Sequence, residues 1–265
     1  MRIILSPAKK MNVDEDTLPV RGRPVFLEET QKLADWMRGL SYEELKAVWK
    51  CNDSLAAVNY ERHQRMDLLQ TLTPAVLSYE GLAYQHMAPA VFDGECLEYL
   101  EEHLRILSGF YGLLRPFDGV RPYRLEMQAK IACGGCRTLY EFWGDRIARR
   151  LFQETDCIVN LASKEYSRCI SGYLPEGKRY VTCIFGEMSD GKVKEKGTYC
   201  KIARGEMVRY MAEHKIKQPE ECRGFRMFGY RYSEALSCEN MYIFLRQRFA
   251  DPQNTKERTK SAKSV

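Results

Sequence analysis

LRILSGFYGLLRPFDGVRPYRLEM, residues Leu104 to Met127, packs an apolar strand, a glycine-broken aromatic turn and two Arg-Pro pairs into one passage. Arg105-Ile106-Leu107 reads as a short buried strand, and Ser108-Gly109 ends it where a missing Cβ lets backbone approach a neighbour or a ligand. Phe110, Tyr111, Leu113 and Leu114 then place apolar mass around Gly112. Arg115 and Arg121 each precede a proline, which biases them towards extended backbone and holds a guanidinium on stiff chain, a way to present fixed forks to phosphate or carboxylate oxygens. Proline and glycine clusters equally make turns whose arginines face water, so the two readings stand side by side here.

The same design recurs on either side of this stretch. Arg2 to Leu5 is a short strand that runs into Ser6-Pro7-Ala8-Lys9-Lys10, and Cys157 to Leu161 is a continuous apolar strand that runs into Asn160-Leu161-Ala162-Ser163-Lys164-Glu165-Tyr166. Three apolar strands that deliver small and polar groups just past their last apolar position predict a shared sheet edge carrying a site, as in the ligand crevices of open α/β sheets. The expected fold is α/β, with α+β mixing: one compact domain over residues 1–250, a mixed sheet surrounded by helices.

Between the strands the spacing predicts helices. Phe26, Leu33, Trp36 and Met37 recur at helical intervals, and Ser41 with Glu44 forms a capping box for a helix from Tyr42 to Lys50. Asp53 is the expected cap of a second helix running on to Leu69, which gives a helical hairpin over residues 42–66. Ala75 to Tyr79 reads as a strand, followed by two tyrosines, Tyr79 and Tyr84, around Gly81. Asp93 caps a helix to His103, and Thr138 caps a single amphipathic helix over Leu139 to Gln153. Tyr180 to Glu187 and Lys192 to Tyr199 flank Asp190-Gly191 as a hairpin. Lys201 to Gly205 then leads into a helix from Glu206 to His214, and Phe225 to Tyr232 with Met241 to Leu245 closes the sheet.

At 265 residues with 45% hydrophobic and 29% charged residues, the chain suits a globular protein. No apolar run nears the roughly 20 residues that span a bilayer, and the N-terminal apolar stretch is too short for a secretory signal. A cytoplasmic protein with no membrane association is expected. The ten cysteines are spread through apolar contexts and read as reduced core thiols. Cys133-Gly134-Gly135-Cys136 has the spacing of a metal or redox pair, but no second such pair exists and the four histidines are scattered. It is read as a solvent-exposed turn, with neither metal nor cofactor expected; direct iron binding through Cys133, Cys136 or a histidine is the lesser reading. A formal charge of +5 permits nucleic acid binding without requiring it. Residues 251–265 form a basic tail expected to be disordered.

Six motifs in order give the chain a wider likeness: Ser6-Pro7-Ala8-Lys9, Tyr79-x-Gly81-x-Ala83-Tyr84, Leu107-Ser108-Gly109-x-Tyr111-Gly112-Leu113-Leu114-Arg115-Pro116, Pro122-Tyr123-Arg124-Leu125-Glu126-Met127, Asn160-Leu161-Ala162-Ser163-x-Glu165-Tyr166 and Lys201-x-Ala203-Arg204-Gly205. In these the chain resembles the YaaA family of peroxide-stress proteins over everything but the tail. That resemblance implies a cytoplasmic DNA-binding protein linked to hydrogen peroxide resistance and to limiting iron-dependent damage, with a one-domain α/β fold, a basic cleft and a helix-hairpin-helix. The pair near residues 42–66 is similar to that element but carries Lys50-Cys51-Asn52-Asp53 where its glycines would be. No catalytic role carries over to any of these positions.

Two functions follow as expectations. The preferred one is sequence-independent contact with the DNA backbone through Lys9, Lys50, Arg115, Arg121, Arg124, Lys201 and Arg204. The rival is an enzyme acting on a nucleobase, nucleotide or other small molecule, with Ser6, Tyr84, Ser108, Tyr111, Glu126, Asn160, Ser163 and Glu165 supplying its pocket.

Overall fold

The computed structural model describes residues 1–247; the tail expected at residues 251–265 lies outside the described residues, as does the end of the 1–250 domain. β1 (Arg2–Leu5) buries Ile3, Ile4 and Leu5. After the Ser6–Lys9 turn comes the two-residue β2 (Lys10–Met11), then α1 (Leu27–Arg38) and α2 (Tyr42–Trp49). The predicted capping box is present: the Ser41 hydroxyl accepts the Glu44 N–H while the Glu44 carboxylate accepts the Ser41 N–H. α3 (Asp53–Gln64) completes the hairpin, ending before the expected Leu69. Its cap is Asn52, whose Oδ1 accepts the Leu55 N–H at 3.0 Å; the Asp53 carboxylate is instead paired with Lys46.

β3 (Thr73–Pro74), α4 (Ala75–Ser78), β4 (Tyr79–Glu80) and α5 (Leu82–Met87) follow. Ala75–Ser78 is therefore a single helical turn and not a strand, and only Tyr79 of the expected strand is extended, as the start of β4. Ala75, Val76 and Ser78 are all buried, and so short an apolar run fits either period. α6 (Gly94–His103), capped by Asp93 as expected, runs directly into β5 (Leu104–Ser108), with β6 (Gly112–Leu114), β7 (Gly119–Val120), β8 (Lys130–Cys133) and β9 (Cys136–Thr138) after it.

The single helix expected over residues 139–153 is broken into α7 (Leu139–Trp143) and α8 (Arg146–Glu154) at Gly144, which takes φ 50°. β10 (Cys157–Asn160), α9 (Lys164–Ser171), β11 (Arg179–Ser189) and β12 (Lys192–Lys194) come next. The hairpin turn at Asp190-Gly191 is as predicted, with φ of 53° and 71°, but its second strand stops at Lys194. α10 (Gly197–Glu213) starts earlier than expected and takes in Lys201 to Gly205. β13 (Tyr230–Tyr232) and β14 (Met241–Arg246) close the sheet.

The eight-stranded sheet has the order β13-β14-β11-β10-β1-β5-β6, with β12 on β11. From β14 to β5 every pairing is parallel, and antiparallel pairs close the two sides. The fold is thus a single α/β domain built on a mostly parallel mixed sheet. β1 lies between β10 and β5, with Ile3 opposite Val159 on one side and Leu104 on the other. The chain passes to opposite sides of β1 to make these neighbours, so the loops leaving their carboxyl ends diverge and open a crevice. Among the described residues no helix is long and apolar enough to cross a membrane.

Candidate functional site

The small polar residues at the three strand ends shape the backbone of the crevice. The Ser108 hydroxyl accepts the N–H groups of Phe110 at 3.2 Å and Tyr111 at 2.8 Å, turning the chain at the end of β5. With both lone pairs engaged, its proton points to the Tyr123 hydroxyl, 2.6 Å away. Asn160 Oδ1 accepts the Ala162 N–H at 2.9 Å and Nδ2 donates to Thr182 Oγ1 at 3.3 Å, which sets the turn after β10. The Ser6 hydroxyl after β1 accepts the Ser163 N–H at 2.8 Å and so ties two of the loops together. Gly109 lets the β5 turn meet the next wall: a Cβ there would lie 2.5 Å from the Leu125 carbonyl oxygen.

Above this frame is a cleft of about 400 Å³. Its lining includes Ser6, Lys9, Tyr84, Arg124, Glu126, Ser163, Glu165, Lys201 and Arg204, nine of the expected site residues. Ser108, Tyr111 and Asn160 are buried and do not line it. Lys50, Arg115 and Arg121 lie elsewhere. Lys50 is the left-handed C-cap of α2, at φ 46°. Arg115 folds back on Asp118, with Nη2 2.9 Å from Oδ1, and Arg121 donates to the Thr71 carbonyl at 3.0 Å. Both guanidiniums are engaged by acceptors outside the cleft.

Four lining residues with polar side chains went unnamed as candidates: Lys10, Glu80, Tyr123 and Tyr166. Tyr123 and Tyr166 stand inside the quoted motifs. Lys10 and Glu80 meet only because β2 pairs with β4, bringing Nζ to 2.7 Å from Oε1, and nothing in a separation of seventy positions signals this.

Glu126 is held from two sides, by Lys9 at 2.9 Å and Arg124 at 3.4 Å. Arg124 Nε also donates to the Trp49 carbonyl at 3.4 Å, joining the cleft wall to the last residue of α2. Arg204 pairs with Glu195 at 3.1 Å and keeps a buried Nε without a partner, while Lys201 pairs with no carboxylate among the described residues. The Glu165 carboxylate accepts the Gln128 N–H at 3.3 Å; burial pushes its pKa up, and the nearby Glu126 charge adds to this. Burial likewise raises Tyr84 and Tyr166 well above an ordinary phenol and brings Tyr123 to about 12, so all three rings stay neutral donors. Tyr84 spends its proton on the Ser6 carbonyl at 2.9 Å. The opposite wall depends on Gly205, where α10 passes so close to α5 that a Cβ would meet the Ala83 carbonyl oxygen at 2.0 Å.

Cys133 and Cys136 stand at the ends of the β8–β9 turn, which is exposed at Gly134 and Gly135 as read from the sequence. Among the described residues no group of three or more His, Cys, Asp or Glu is placed to hold a metal ion.

The family described as peroxide stress protein YaaA matches residues 1–236. Proteins named UPF0246 are similar along nearly the whole chain. That of Agathobacter rectalis is 51% identical over 247 residues, covering 93% of this chain and 99% of the relative. That of Desulfitobacterium hafniense is 54% identical over 246 residues (93% and 98%), and that of Lachnoclostridium phytofermentans 55% over 246 residues (93% and 96%).

Proposed function

The chain belongs to the peroxide stress protein YaaA family, and from that membership we propose that it binds DNA at the cleft beyond β1, β5 and β10, protecting DNA or aiding its repair under hydrogen peroxide and limiting iron-dependent damage in the cytoplasm. The lining of the cleft carries this reading: Lys9, Lys10, Arg124, Lys201 and Arg204 face Glu80, Glu126 and Glu165, five cations against three carboxylates, beside three tyrosines. Cations at the rim attract phosphates without regard to sequence. A cavity of about 400 Å³ is too small for a duplex but suits one nucleotide taken out of the stack. The strand would therefore cross the rim with a single residue inside. The α2–α3 hairpin extends this track in the manner of a helix-hairpin-helix, since Arg124 links it to the cleft through Trp49.

Fluorescence anisotropy with a labelled duplex and a labelled single strand tests the reading across a salt series. Lys201→Ala with Arg204→Ala should lower affinity at least about tenfold and make the salt slope shallower by about two. Arg115→Ala should change neither, because its guanidinium lies outside the cleft. Absence of binding at low salt, or a double variant equal to the parent, overturns the reading.

A second reading, turnover of a nucleobase or nucleotide, is favoured by one arrangement: Glu165 lines the cleft with the Lys9–Glu126 pair, and burial raises its carboxyl from its ordinary value, which suits proton transfer. Chromatography of oligonucleotides and nucleotides after incubation tests it. A product that forms with the parent and not with Glu165→Gln supports turnover; unchanged substrate throughout leaves binding alone.

A further inference from the structure

Cys133 and Cys136 are paired residues on the facing strands of β8 and β9, with only Gly134 and Gly135 between them. The two glycines take φ of 60° and 80°, the left-handed conformation of a tight two-residue turn, and nothing lies within 4 Å of where their Cβ atoms would be. Directly opposed residues on antiparallel strands have Cα atoms about 4.5–5.5 Å apart, inside the span of about 4.4–6.8 Å that a disulfide bridges. The turn therefore has the register for its ends to be joined.

From this geometry we infer that Cys133 and Cys136 are a peroxide-oxidisable pair that closes to a disulfide across the hairpin turn. Cys136 is partly exposed and Cys133 is buried, its sulfur facing the Lys32 carbonyl. The roles follow from access. The Cys136 thiolate attacks one oxygen of hydrogen peroxide; the S–O bond forms, the O–O bond breaks, and hydroxide leaves to become water with a proton from solvent. Cys133 sulfur then attacks the sulfenic sulfur of Cys136. The S–S bond forms, the S–O bond breaks, and the departing hydroxide takes up the Cys133 proton as a second water. One peroxide is reduced to two waters while two thiols are oxidised. Burial, with the neighbouring Cys136, pushes the Cys133 thiol up, in keeping with its role as the partner that resolves and not the one that attacks first.

The hairpin is tied to Glu165 at both ends. Gln128, two residues before β8, donates its N–H to the Glu165 carboxylate, and Tyr140, two residues after β9, donates its hydroxyl to the Glu165 carbonyl at 2.9 Å. The cysteine pair thus sits within the segment that holds this residue.

Trypsin releases Ile131–Arg137, a peptide containing both of these cysteines and none of the others, which makes the test direct. The full chain is treated with graded hydrogen peroxide, unfolded in an alkylating agent and mapped without reductant. The expected result is a peptide unalkylated at both sites, lighter by two hydrogen atoms, restored to two alkylatable thiols by dithiothreitol. The exposed Cys238 serves as the comparison and should go to oxygen acids instead. In Cys133→Ser, Cys136 should stop at a sulfenic acid that dimedone captures. The inference is overturned if Cys133 and Cys136 both remain alkylatable at peroxide levels that oxidise Cys238, or if Cys136 becomes a sulfinic acid while Cys133 stays free.

Discussion

Replacing Gly205 with alanine sets a methyl group where the packing of α10 on α5 has no room. The added Cβ would lie 2.0 Å from the Ala83 carbonyl oxygen, 2.8 Å from its carbon and 2.9 Å from its Cα, all backbone atoms that no rotamer change can move. Ordinary contact begins at 3.4 Å, so the two helices must part by more than an ångström. Helix propensity alone favours alanine by about 1 kcal/mol. Overpacking costs about 1–3 kcal/mol, and a backbone clash belongs at the upper end, leaving a net loss of about 2 kcal/mol. In a domain of this size each kcal/mol moves Tm by about 2–4 °C, which gives a fall of about 4–8 °C. Gly197→Ala, at the first position of the same helix with nothing within 4 Å of its Cβ, is the control. It should hold Tm or raise stability by up to about 1 kcal/mol. Thermal unfolding followed by circular dichroism measures both. Ala83 and Arg204 line the cleft, so Gly205→Ala should weaken DNA binding as well. A Gly205→Ala protein that melts at or above the parent temperature would refute the packing argument.

Three further outcomes are expected. Burial, reinforced by Glu126, raises the folded-state pKa of Glu165 above its unfolded value, so its stabilising contribution is lost as pH rises through the folded value; Glu165→Gln should melt higher than the parent at about pH 7, with the gain gone near pH 4 in urea unfolding at both. Glu154 goes the other way: burial pushes it up, but the Arg105 charge and hydrogen bonds from Arg105 and Arg2 prevail and lower it, so its contribution is complete above the unfolded value and lost as pH falls through the folded one; Glu154→Gln should flatten the acid limb of a stability–pH curve. Trp143→Phe removes the indole N–H that donates to the buried Gly109 carbonyl at 2.9 Å and should cost about 1–3 kcal/mol in urea unfolding.

The readable part of the molecule was its local chemistry. Ser41 with Glu44, Asp93, Thr138 and Asp190-Gly191 each act within a few residues of themselves, and each performs the predicted cap or turn. The strand ends were legible for the same reason, although Ser108 and Asn160 turned out to hold the turns and not to line the cleft. Direction was the harder matter. The backbone preference before a proline says that Arg115 is held but not where its guanidinium points, and the acceptor was Asp118, three residues on. Periodicity also missed the break at Gly144, because an amphipathic pattern can continue across a two-residue interruption. Lys10 and Glu80 belong to the cleft through a pairing of β2 with β4 that leaves no mark on either segment.

The central place of β1 has a consequence for the order in which the molecule can be assembled. Its four residues are made before either of its neighbours, which are β5, about a hundred residues later, and β10, about fifty residues beyond that. Until both have been made, Ile3, Ile4 and Leu5 have no sheet to enter, and the loop that ties Ser6 to Ser163 cannot close. Folding must therefore wait for most of the chain, an arrangement of high contact order whose apolar first strand needs shielding during synthesis. The cleft, drawing on residues from Leu5 to Arg204, comes into being only with that last closure.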